Sequence, residues 1–149
     1  MIRIAGGAPL SIAQGDVAAE GHAIECRINA EDPAKGFLPA PGTITRLVVP
    51  AGEGIRFDTM LYEGYTIPPF YDSLVGKLIV WGKTREACLA RLKDALEGLV
   101  IEGISTTIPL HLALATDQSV ARGAFDTRFL EHWLETDFAA KAGATAEVA

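Results

Sequence analysis

The stretch "LVGKLIVWGKTREACLARLKDALEGL", Leu74 to Leu99, constrains the fold more than any other part of the chain. Its opening "LVGKLIVWG" is a short apolar run rich in β-branched residues, which reads as a buried strand. From Thr84 the period changes: Cys88, Leu89, Leu92, Ala95, Leu96 and Leu99 recur three or four residues apart, as on one face of a helix. Thr84 is a suitable N-cap, Glu86 falls in the first turn, and Gly98 stands near the end. A buried strand running directly into an amphipathic helix implies a sheet with that helix packed across it.

A second strand is expected over "HAIECRINA", His22 to Ala30. Extended backbone sends alternate side chains to opposite faces, so His22, Ile24, Cys26, Ile28 and Ala30 form a core face, while Ala23, Glu25, Arg27, Asn29 and Glu31 form a polar one. "EDPAKGFLPAPG" is a shaped loop by its prolines and glycines, with Phe37 and Leu38 expected to anchor it. "TITRLVVP" reads as a strand, "AGEGIRFDTMLYEGYTIPPFYDS" as strand pieces between turns, and "VIEGIS" as a short strand or turn. "PLSIAQGDV" suggests one short helix, "TTIPLHLALATDQ" a helix with Pro109 in its first turn, and "DTRFLEHWLE" a last helix N-capped by Asp126. With strands first and helices last, the expected fold is α+β: an antiparallel sheet with about three helices on one side. Residues 1–135 form one domain, and 136–149 are expected to be a disordered tail.

With 149 residues, 49% of them hydrophobic and 21% charged, the chain can build one ordinary core. The formal charge of −6 argues against a nucleic-acid or anionic-membrane surface, and no run approaches the ~18 apolar residues of a membrane span. No secretory signal is visible, and Cys26 and Cys88 read as small buried hydrophobes, so a cytoplasmic location is expected. Neither GxGxxG nor GxxxxGK[ST] occurs, which leaves this chain alone without a phosphate-cradling loop.

Three constellations carry possible chemistry. Arg27 is either a surface residue ion-paired to Glu25 or Glu31, or a planar donor fork that a stiff strand presents to an anion. Asp72, in "PPFYDS", either caps local amides or belongs to a site; Lys77 in the following strand either snorkels or pairs with a carboxylate. Glu53 and Arg56 form a charged pair on a protruding turn, solvated or part of a symmetric interface. His22, His111 and His132 are scattered as core or surface histidines, and Trp81 and Trp133 are expected to pack at element ends.

"ECRINAEDPAKGFLPAPGTITRL", "YTIPPFYDSLVGKLIVWGKTREACLARLKDALEGLVIEGISTTIPLH" and "FDTRFLEHWL" closely resemble the C-terminal domain of biotin carboxylase, in order, from Ile2 to Leu134. One departure is Thr106-Thr107, where the family commonly has Thr-Asn. The resemblance implies a fragment: ATP, Mg2+ (or Mn2+) and bicarbonate would be handled largely by an ATP-grasp domain of the same polypeptide, with no cofactor in this portion. It implies that Arg27 is catalytic, contacting bicarbonate and the ureido oxygen of biotin. Asp72 would lie near Arg27, with Glu25 and Asn29 orienting the site. Glu53 and Arg56 would lie near a homodimer contact, and the other partner would be the biotin carboxyl carrier protein. The expected host is the acetyl-CoA carboxylase of fatty acid synthesis. Alternatives are a propionyl-CoA, methylcrotonyl-CoA or pyruvate carboxylase, or a non-catalytic binding or dimerisation module.

Overall fold

The computed structural model describes residues 1–138. The centre is a three-stranded antiparallel sheet in the order β1-β6-β5, with β1 at His22–Asn29, β5 at Ile55–Thr59 and β6 at Leu74–Gly82. Two smaller antiparallel pairs flank it. Glu31–Asp32 (β2) pairs with Leu38–Pro39 (β3), and Arg46–Val48 (β4) with Val100–Glu102 (β7). The helices are α1 (Ile2–Ala5), α2 (Arg85–Gly98), α3 (Ile108–Ala115), α4 (Gln118–Arg122) and α5 (Phe129–Trp133). The fold is α+β, as the sequence implies.

The two faces of β1 divide as its alternation requires from Ile24 onward, whereas His22, expected on the core face, is exposed at the strand's start. Cys26, Ile28 and Ala30 are buried with Leu78 and Val80 of β6, while Glu25 and Arg27 are exposed on the opposite face. A register shift between Ile28 and Asn29 accommodates one extra residue on β6, and Val75 turns into the core there. Thr84 caps α2 by accepting the Ala87 N–H at 3.2 Å, and Cys88, Leu89, Leu92, Ala95 and Leu96 bury one side of that helix. Contact is close: a methyl group at Gly82 would stand 2.5 Å from the Cys88 backbone nitrogen. Gly103, at φ +101, closes the turn after β7 where any side chain would collide with the Thr43 carbonyl.

The last helices depart from the sequence expectation. Asp126 accepts the Arg128 N–H and caps only a turn; α5 begins at Phe129 and leads into a π-helical turn over Leu134–Phe138. A further helix, α4, intervenes, because Asp117 caps Ser119 and Val120 while Gly123 closes the other end in the left-handed conformation. The second carboxylate oxygen of Asp117 accepts the Trp133 indole N–H at 2.9 Å, tying α4 to the buried Trp133. Of the two residues expected to anchor the "EDPAKGFLPAPG" loop, Leu38 is exposed and Phe37 is half-buried. "PLSIAQGDV" contributes only a 3-10 turn at Gln14–Asp16. The tail expected over 136–149 lies mostly outside the described residues.

Cys26 and Cys88 are both buried and unbonded. Burial, then the charge of Glu25 and then Cys88, pushes the Cys26 thiol up to about 11, and burial also raises that of Cys88. The thiolate is the reactive species, so both cysteines are expected to label slowly with iodoacetamide in the folded protein and fast after unfolding in urea. Rapid labelling of either in the native state would contradict its burial.

Candidate functional site

The polar face of the sheet is ordered by strand register. Arg27, Lys77 and Asp58 occupy one row across β1, β6 and β5, and Glu25, Ile79 and Arg56 the next. Each acidic group near Arg27 is engaged elsewhere. Glu25 lies 3.9 Å from the Lys77 ammonium; Asp58 receives Arg56 Nε at 2.9 Å and Nη2 at 2.5 Å. Glu31 accepts the Asn29 side-chain amide at 3.2 Å and the Ser73 hydroxyl. Among the described residues, Arg27 makes no ion pair or side-chain hydrogen bond. Of the two alternatives, the ion pair of Arg27 with Glu25 or Glu31 is not formed: Glu25 lies beside Lys77, and Glu31 accepts from Asn29 and Ser73.

Asn29, at the end of β1, is half-buried, and its side-chain oxygen is a buried acceptor with no partner among the described residues. Asp72 accepts the Leu74 N–H at 2.8 Å in the turn that starts β6, so it has the local capping role the sequence allowed. Leu74 is the register partner of Asn29, which places Asp72 just past the Asn29 end of the sheet. Phe70 and Tyr71, directly before Asp72, are 88% and 82% exposed.

Glu53 and Arg56 do not pair. Arg56 and Asp58, two residues apart on one strand, share a face and form a forked ion pair, while Glu53 sits in the preceding turn. The hydrogen bond to Asp58 raises the pKa of Arg56, and that same bond lowers the pKa of Asp58.

The backbone carrying Arg27 is held from behind. The Arg27 carbonyl accepts the Thr107 hydroxyl at 3.3 Å and is 2.9 Å from His111 Nε2. Thr107 and His111 stand four residues apart, on one face of α3 and its N-cap, a spacing that sequence reading could have used to pair them. His111 borders a cavity of about 320 Å³ between β1, α2 and the last helices, together with Cys26, Leu92, Leu114 and Phe129. Burial depresses the His111 pKa, and the bond to the Arg27 carbonyl opposes that only in part. Glu25 and Asp126 border the same cavity.

The sign of the pH dependence follows. An unfolded histidine takes up its proton below about 6.5, before the folded ring does, so protonation favours unfolding. This contribution to stability is intact above that pH and is lost as pH falls toward the lower folded value. The urea midpoint is expected to fall between about pH 7 and pH 5, and to fall less in His111→Gln. An unchanged slope in that variant would remove His111 as the source.

Residues 25–132 match the family described as biotin carboxylase C-terminal domain. The chain is 53% identical over 130 residues to biotin carboxylase 1 of Bacillus subtilis, covering 87% of this chain and 29% of that one. It is 47% identical over 132 residues to a pyruvate carboxylase subunit of Methanothermobacter thermautotrophicus, covering 89% and 27% respectively. Among solved structures, the biotin carboxylase domain dimer of the Hydrogenobacter thermophilus 2-oxoglutarate carboxylase, in complex with MgADP, ADP and bicarbonate, superposes with a TM-score of 0.85. That match has 49% identity and covers 89% of this chain and 29% of the other. The chain thus spans about three tenths of the length of the relatives it matches. By the extent of the match and its identities, the chain belongs to the biotin carboxylase C-terminal domain family.

Proposed function

We propose that this chain supplies the C-terminal wall of a site in which ATP and bicarbonate carboxylate biotin, and that Arg27 is its catalytic residue. The observation that carries the reading is the unpaired guanidinium: an exposed arginine on a stiff strand, amid carboxylates all engaged by other groups. Such a fork is free to receive an external oxyanion.

In this reading bicarbonate is activated by ATP and delivered as CO2, the ureido nitrogen of biotin gives up its proton to phosphate, and that nitrogen attacks CO2. Negative charge builds on the ureido oxygen as the proton leaves, and Arg27 donates to it there. Asn29 and Glu25 shape the surroundings through Glu31 and Lys77, and Asp72 fixes the turn that borders the site. Among the described residues no group of three His, Cys, Asp or Glu could hold a metal ion. In this reading the nucleotide and its Mg2+ are held by an ATP-grasp domain of the same polypeptide. The Glu53 to Asp58 segment is the proposed homodimer contact, and the biotin carboxyl carrier protein brings the substrate.

For the host, the acetyl-CoA carboxylase of fatty acid synthesis is the reading put to the test; identities of 53% to biotin carboxylase 1, 50% to a 2-oxoglutarate carboxylase subunit and 47% to a pyruvate carboxylase subunit do not rank the hosts. The test is carboxybiotin formation by a full-length carboxylase carrying this chain, followed by transfer to acetyl-CoA or to pyruvate. The chain alone is expected to give no saturable heat on titration with MgATP. Micromolar binding would show that the nucleotide site had been assigned to the wrong domain.

A further inference from the structure

The free edge of β1 is the observation that leads beyond this reading. In the order β1-β6-β5, β1 has a strand on one side only. The main-chain groups of Arg27 and Asn29 that point away from β6 need other partners, since open edge groups fray or remain hydrated. One residue meets most of that need. The Thr107 N–H donates to the Asn29 carbonyl at 3.1 Å. The Thr107 hydroxyl accepts the Asn29 N–H at 3.0 Å and donates to the Arg27 carbonyl at 3.3 Å. His111 adds its Nε2 at 2.9 Å to that carbonyl, which its Nε2–H tautomer donates to. A single threonine and a histidine one helical turn later thus replace the missing neighbouring strand over the Arg27–Asn29 segment. Thr107 is only 4% exposed, so water does not compete at its hydroxyl.

Resting on the reading of Arg27 as the oxyanion donor, we infer that Thr107 and His111 are positioning residues for that arginine: they fix the backbone from which the guanidinium is aimed. The need is physical. Arginine carries its fork on a long flexible stem, and a site tolerates only about half an ångström of error in its donors. β6 secures one edge of Arg27's strand and leaves the other to open. The clamp closes it at the two residues, Arg27 and Asn29, that face the site. Thr107 and His111 both bond the Arg27 carbonyl rather than its guanidinium, so each acts through Arg27.

The test uses the full-length carboxylase that carries this chain. Thr107→Val keeps the shape and removes the hydroxyl, while Thr107→Ser keeps it; His111→Leu removes the donor, while His111→Gln retains an amide N–H of similar reach. The expected result is a fall in biotin-dependent kcat of roughly 10- to 10²-fold for Val and Leu, as for an ångström-scale misplacement. KM for biotin moves less than kcat, the loss in biotin-independent ATP cleavage is smaller, and Ser and Gln recover most of the rate. Placed on Arg27→Ala, Thr107→Val and His111→Leu add little further loss, since the group they aim is gone. Amide exchange at Asn29, measured on this chain, speeds up in Thr107→Val relative to Cys26, whose amide faces β6.

The inference is overturned if Val and Leu stay within about twofold of wild type while Arg27→Ala is crippled. Equal losses in both activities, no recovery in Ser and Gln, or losses that add fully to Arg27→Ala overturn it as well, by showing a merely structural role. Should Thr107→Val fail to fold, the His111 pair is judged by the same outcomes. If Arg27→Ala is itself active, the proposed function fails first, and the exchange measurement then reports on the clamp alone.

Discussion

Arg27→Ala, in the full-length carboxylase, is expected to lower biotin-dependent turnover by ~10²–10³-fold, the usual cost of losing an oxyanion donor. The size of the effect follows from where the guanidinium sits. Glu25 is drawn to Lys77, Glu31 to Asn29 and Ser73, and Asp58 to Arg56, so no described carboxylate is left to neutralise Arg27. Removing it therefore breaks no internal ion pair, and the loss should appear in the reaction with little change in thermal stability. Arg27→Lys keeps the charge but not the planar fork, and should also be strongly impaired. Steady-state carboxylation of free biotin, with the melting temperature measured alongside, decides the matter. Activity of Arg27→Ala within about threefold of wild type would make it an ordinary surface arginine and would favour a binding or dimerisation module instead.

The second large effect concerns stability. Leu78 lies in the middle of β6 with 0% exposure, between β1 and β5 and beneath α2. Leu78→Ala is expected to cost about 2–5 kcal/mol, because packed neighbours close only part of the cavity. In a domain of this size that lowers the melting temperature on the order of 10 °C. Ile79, the next residue, faces the charged rows and is only half-buried, so Ile79→Ala should cost markedly less. Thermal or urea unfolding of the two variants side by side is the measurement. Equal costs would mean that the face assignment of β6 is wrong.

That contrast shows how much was legible in the residues. "LVGKLIVWG" reads as a buried strand, but apolar and glycine neighbours on both sides of a single lysine do not say which face is core. Pairing with β1 and β5 settles it, since Lys77 must share a row with Arg27 and Asp58. β1 was readable from Ile24 onward because its polar and apolar side chains alternate there, while His22, expected on the core face, is exposed at the strand's start. The α2 face was readable because six apolar residues repeat at helical spacing and Thr84 marks the start. The C-terminal helices were less so. Asp126, the expected cap, holds only a turn, while Asp117, inside a segment read as one helix, caps α4 and accepts the Trp133 indole.

The candidate site divides in the same way. Local periodicity alone put Arg27 on the polar face with Glu25 and Asn29, because side-chain direction in a strand depends on the strand itself. Which carboxylate each cation takes depends on neighbours far away in sequence, such as Lys77 for Glu25. Arg56, read with Glu53 as charges on a protruding turn, bonds Asp58 two residues along its own strand. Thr107 and His111 are separated from Arg27 by 80 and 84 residues, so their hold on its carbonyl exists only once α3 docks against β1. The sequence by itself determined the main elements β1, β6 and α2 and the faces of β1 and α2, through backbone geometry and the burial of apolar surface. The tertiary structure decided the long-range partners, such as Lys77 for Glu25 and Glu102 for Arg46, and the closing of the β1 edge, because those bonds depend on distances that local sequence does not specify.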